Sequence, residues 1–137
     1  MASTTTRPTP TAELTAVDRA TILDGLQLLA IEHHRQAVLA HDEPTAQASI
    51  DAEHWTDELA ETIASGHHHD LDRRAARTVL TGLELLAAEH QHIAATSPDN
   101  ATRNEAHARQ LSTAALHDRL TEFIQPEHRP QPGIELP

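Results

Sequence analysis

Thr21–Gln36 reads TILDGLQLLAIEHHRQ and Thr78–Ile93 reads TVLTGLELLAAEHQHI, nine identities in sixteen positions at an offset of 57 residues. Both segments space their apolar residues by three and four, the period of one helix face. Amphipathicity accounts for the shared Leu and Ala. It does not demand the shared Gly25/Gly82, Glu32/Glu89 and His33/His90, so the chain reads as a duplicated unit.

Helix punctuation extends the reading in both directions. A first helix is expected from about Thr15 to His41, stopped by Asp42-Glu43-Pro44, where a proline follows two turn-compatible acids. A second runs from about Thr45 to Ser65 and closes on Gly66, suited to a left-handed cap. Asp70 offers an N-cap for a third helix reaching about Thr96, and Ser97-Pro98 starts a fourth that Pro126 ends. Period-two runs of β-branched and aromatic residues are missing from the sequence. The expected fold is therefore all-α, an up-down-up-down four-helix bundle over residues 15–125 built from duplicated hairpins 15–66 and 70–125. Residues 1–14 form a Thr/Pro-rich arm and 126–137 a Pro-rich tail, both expected to be disordered.

Composition narrows the function. The 137 residues hold 23 Ala against 26 Leu, Ile and Val, so one domain with a thin core is expected. Without cysteine, thiol chemistry and disulfides are excluded. All ten basic residues are Arg and the net charge is -11, which argues against a nucleic-acid partner. The Met1–Pro10 stretch lacks an apolar signal core and no apolar run reaches membrane-spanning length, so a cytoplasmic protein is expected. Twelve histidines would carry the formal charge from -11 to +1 if all were protonated. A GC-rich coding bias accounts for most of them.

Helix wheels select two of the twelve. Advancing 100° per residue, helix 1 buries Ile22, Leu26, Leu29, Ala30 and Ala37 with His33 among them, and helix 3 repeats this with Val79, Leu83, Leu86, Ala87 and Ala94 around His90. Glu32 and Glu89 fall on flanks that also carry Gly25 and Gly82, a strip for contact between helices 1 and 3 or for another chain. Ala48, Ala52, Trp55, Leu59 and Ile63 form the expected inner face of helix 2. On helix 4 that face is Ala101, Ala108, Ala115, Leu116 and Phe123, with Glu105 near its centre. If both hairpin turns lie at one end, His33, His90 and Glu105 share a layer with Trp55 alongside.

Two histidines and a carboxylate are the ligand set of non-haem iron sites, and imidazole also suits Zn and Ni. Glu32 and Glu89 are further candidate ligands. The same residues also make a buried His pair satisfied by one Glu, a polar layer that sets register and binds nothing. The order Glu32, Asp51-x-x-His54, Glu89, Asn104-x-x-His107 echoes di-iron carboxylate bundles. It departs from them in its Asp and Asn, and in the outward placement of His54 and His107 on their wheels.

Three further features stand apart from this layer. His67-His68-His69 is a loop tract able to bind immobilised nickel, and Ile134 and Leu136 are isolated apolar residues in the tail. Arg73, Arg74 and Arg77 occupy the first turns of helix 3, where the helix dipole disfavours cations. Acids of a neighbouring helix or of a partner would offset them. With no nucleophile-base pair, phosphate-binding Gly loop or cofactor fingerprint, the expected function is a non-enzymatic interaction or assembly module that self-associates. A metal-binding bundle and a pH-responsive bundle are the alternatives.

Overall fold

The computed structural model describes residues 14–66 and 72–128, with side chains as far as residue 122. Residues 1–13 of the expected arm, the His67-His68-His69 tract, Asp70, Ile134 and Leu136 lie outside them, while Leu14 packs against the core. The chain forms four helices, α1 (Ala16–Leu39), α2 (Glu43–Ala64), α3 (Arg73–Thr96) and α4 (Asn100–His128). They make a four-helix bundle of two hairpins in which α1 packs on α2, α3 on α4, and α1 on α3. No helix among the described residues is long and apolar enough to cross a membrane.

Each helix starts on a side chain that accepts from an otherwise orphaned N–H. Thr15 and Asp18 form a reciprocal capping box on α1, at 3.0 and 3.1 Å. Asp42 accepts from Thr45 N at 2.8 Å, Asp72 from Ala75 N at 2.8 Å, and Asp99 from Thr102 N at 2.9 Å. Thr15 and Asp72 stand 57 residues apart, as do Asp42 and Asp99, so the duplication includes the caps. These donors hold both hairpin acids below the usual carboxylate range: mainly the Thr45 N–H for Asp42 and the Thr102 hydroxyl for Asp99.

Three expected boundaries move. The α3 cap is Asp72, two residues past the expected Asp70. The α4 cap is Asp99; Ser97 instead ends α3, its N–H bonding Ile93 O at 2.9 Å. Pro126 does not stop α4, which continues to His128, because a proline φ near -65° is itself helical and here forfeits only one backbone bond near the end.

The buried set is duplicated almost residue for residue. Ile22, Gly25, Leu26 and Leu29 on α1 have their counterparts 57 residues on in Val79, Gly82, Leu83 and Leu86 on α3. Ser49, Thr56, Leu59 and Ile63 on α2 correspond to Ala106, Thr113, Leu116 and Leu120 on α4. The α4 face is thus rotated by about one residue, 100°, from the wheel reading, whereas on α2 Leu59 and Ile63 are buried and Ala52 and Trp55 half-buried as expected, the face turning only by about half as much. Ala48, Ala101, Ala108 and Ala115 are exposed, and so is Glu105, the counterpart of Ala48.

Gly25 and Gly82 meet where α1 crosses α3. A Cβ on Gly25 would lie 2.7 Å from the carbonyl carbon and oxygen of Gly82, and one on Gly82 would lie 2.8 Å from Gly25 C. The glycine strip is therefore an intramolecular contact, in which the missing side chains let two backbones touch. Past the crossing, Leu29 and His33 lie against Arg73, Arg74, Arg77, Thr78 and Thr81, all of which precede Gly82. The second half of α1 thus runs beside the first half of α3. The expected common layer is not formed, since His33 and His90 stand on opposite sides of the crossing.

Candidate functional site

The five candidate ligands are dispersed. Glu32 binds Arg35 through both carboxylate oxygens at 3.1 and 2.6 Å and accepts from Gln36 at 3.1 Å. The hydrogen bond from the Arg35 guanidinium holds its carboxyl below the usual range. Glu89 is exposed. Glu105 faces water and pairs with Arg109 at 2.8 Å, one helical turn along. His33 and His90 are half-buried in separate surroundings. Among the described residues, no group of three or more His, Asp or Glu is placed to hold a metal ion. His54 and His107 are exposed, as their wheels require.

What the structure does assemble surrounds His33. A groove of about 620 Å³ opens between α1, α2 and the start of α3. Its wall carries Arg73, Arg74 and Arg77, and its apolar floor carries Leu29, Ala52 and Trp55. Trp55 is fixed from two directions. Its Nε1–H donates to Thr78 Oγ1 at 3.0 Å, while the Arg74 guanidinium carbon lies 3.9 Å above the ring centroid, within cation-π range. The Thr78 hydroxyl donates in turn to Arg74 O at 2.9 Å, which ties donor, ring and cation into one unit. Among the described residues that line it are three Arg and one His.

On the helix wheels Trp55 falls beside a metal layer, and the arginines oppose the dipole of α3, with acids of a neighbouring helix or of a partner expected to offset them. Alignment of the two repeats carries the missing signal. Part of the lining is duplicated: Leu29, His33, Thr56 and Thr78 correspond to Leu86, His90, Thr113 and Thr21, whereas Ala52 and Thr81 correspond to Arg109 and Asp24. The cations and the ring are not, because Arg73, Arg74, Arg77 and Trp55 correspond to Ala16, Val17, Ala20 and Ser112. Helix α1 forms without the arginines and α4 without the tryptophan, so the duplicated helices do not themselves demand them.

The counterpart site around His90 has a different character. Burial, and then the nearby Arg109, hold this imidazole below its ordinary value, with Glu89 and Asp24 opposing. A His pKa depressed in the folded state means that the unfolded chain binds the extra proton more readily. The associated stability is present above the unfolded pKa, near 6.5, and is lost as pH falls through that value and then the folded one. Urea titrations from about pH 7.5 down to about 5 will therefore show a falling midpoint, and His90→Gln will flatten the fall. An equal fall in both proteins removes His90 as its source.

No family model matches the chain, and neither the curated proteins nor the solved structures include a significant match. Among the described residues, fold and site together define a duplicated-hairpin four-helix bundle with an arginine-walled groove.

Proposed function

We propose that the protein is a non-enzymatic interaction module that self-associates through the outer face of α1. The observation that carries this is a row of exposed β-branched side chains, Val17 at 74%, Ile31 at 56% and Val38 at 70% exposure. With Asp24 they recur every seven residues, so they lie within about 60° of one another around the helix. Their side of α1 is opposite the buried Ile22, Leu26 and Leu29. β-branched residues lower helix propensity, and in water they gain nothing in return. The corresponding positions on α3 hold Arg74, Thr81, Ala88 and Ala95, so the shared fold does not require the row.

The occupant that fits this row is a second copy of the chain. A heptad-spaced row is self-complementary in an isologous helix pair. Light scattering after size exclusion is expected to show a dimer fraction that grows from micromolar to millimolar protein. Ile31→Glu, with helical circular dichroism unchanged, will return the protein to monomer. A wild-type chain that stays monomeric at millimolar concentration rules the reading out.

A further inference from the structure

One acid interrupts the apolar row on α1. Asp24 lies between Val17 and Ile31 at the same seven-residue spacing, and it is exposed. A mate that covers the row also covers this carboxylate, and taking an ionised group out of water is costly unless an opposite charge accompanies it. Another helix brings a titratable group to the same place. His90 of α3 is half-buried, and the charges that act on it are Arg109 of α4, Glu89 of its own helix and Asp24 of α1.

The other side of the Gly25 and Gly82 crossing shows the same placement without the charges. Thr81 and His33, the counterparts of Asp24 and His90, line one groove together with Ala52, the counterpart of Arg109. Helices α2 and α3 form with uncharged residues at these places, so an acid and a cation around the duplicated histidine are not a requirement of the helices themselves. Arg109 is held by Glu105 at 2.8 Å, one turn away on α4, which leaves the imidazole as the group able to change the charge beside Asp24.

We propose that proton uptake at His90 regulates the pairing of two chains through the outer face of α1, with acid conditions favouring the pair. The inference rests on the self-association argued above. A neutral imidazole adds nothing to offset the Asp24 carboxylate, whereas an imidazolium places a positive charge beside it, so that the row is covered at lower cost. Linkage makes the relation reciprocal, and the pair holds the His90 proton more tightly than the single chain does. Burial, and then Arg109, hold His90 below its ordinary value, so it is uncharged at neutral pH and the change comes with acidification.

Sedimentation equilibrium of the full chain at about pH 7.5 and about pH 5.5 measures the dimer constant, in roughly 0.3 M salt to screen the general charge of the other histidines. The wild type is expected to pair about fivefold more tightly at the lower pH, the effect of one ion pair at an exposed site. His90→Gln is expected to lose most of that gain. Asp24→Asn is expected to pair at the higher pH about as tightly as the wild type does at the lower one, and helical circular dichroism checks that both variants are folded. An equal pH-linked gain in wild type and His90→Gln overturns the regulation, and so does Asp24→Asn pairing no tighter than wild type at the higher pH. In either case the α1 face stands as long as Ile31→Glu still abolishes the pair. A wild type that is monomeric at both pH values removes the face and its regulation together.

Discussion

Gly25→Val will separate α1 from α3 and cost the bundle on the order of 3 kcal/mol or more, the upper range for overpacked sites. The size of the effect follows from what the new side chain meets. Even its Cβ would stand 2.7 Å from the carbonyl carbon and oxygen of Gly82 and 3.1 Å from Leu83 N, all of them backbone atoms. A flexible side chain could swing aside, but a helix backbone moves only as a whole, and moving it opens the contact between the two hairpins. Helix propensity acts in the other direction, by about 1 kcal/mol for Gly to Ala, and is outweighed. Gly82→Val is expected to cost a similar amount, because its Cβ meets Gly25 C at 2.8 Å and Gly25 O at 2.9 Å. The double variant should cost clearly less than the sum, since the first valine already separates the helices. Urea titration of the four proteins measures this. A Gly25→Val variant as stable as the parent removes the close crossing from the account of the fold.

The second large effect is in the core. Leu83 is fully buried and Leu26, its counterpart 57 residues earlier, is 1% exposed. Truncating either to Ala is expected to cost about 2–5 kcal/mol, out of a total near 5–15 kcal/mol for a typical domain. The melting temperature should fall by roughly 10 °C or more. Few large side chains complete this core, and the fully buried ones are Ile22, Leu26, Ile63, Leu83 and Val79 beside two threonines. Neighbouring alanines have no long side chain to fill the space left. Leu111→Ala provides the contrast, since that residue is 58% exposed and its loss should fall within about 0.5 kcal/mol of zero. Equal midpoints for Leu83→Ala and Leu111→Ala would contradict the burial pattern.

Much of this was legible before any coordinates. The repeat at Thr21–Gln36 and Thr78–Ile93 announced two hairpins, and the apolar stripes of α1 and α3 were placed correctly through Ile22, Leu26, Leu29, Val79, Leu83 and Leu86. Those helices carry large side chains at regular spacing, and a wheel finds their centre. The α4 face departs from its wheel by about one residue and the α2 face, which keeps Leu59 and Ile63 inside, by less, because Ala is abundant on every side of both. In such a helix the wheel has little to weigh, and packing chose Ser49 and Ala106 over Ala48 and Glu105. The repeat itself held part of the remedy: the cap at Asp72 follows from Thr15 by the same offset that relates the hairpins.

Local sequence thus determined the helices, their caps and the duplication, since each depends on residues within a few positions of one another along the chain. The way the hairpins meet is a long-range property, and the tertiary structure decided it. The crossing of Gly25 over Gly82 sets the second half of α1 against the first half of α3. It parts His33 from His90 and gathers Trp55, Arg74 and Arg77 around one groove. The same arginines that the helix dipole alone disfavours acquire a setting through residues from two other helices, and no local spacing in the sequence encodes that meeting.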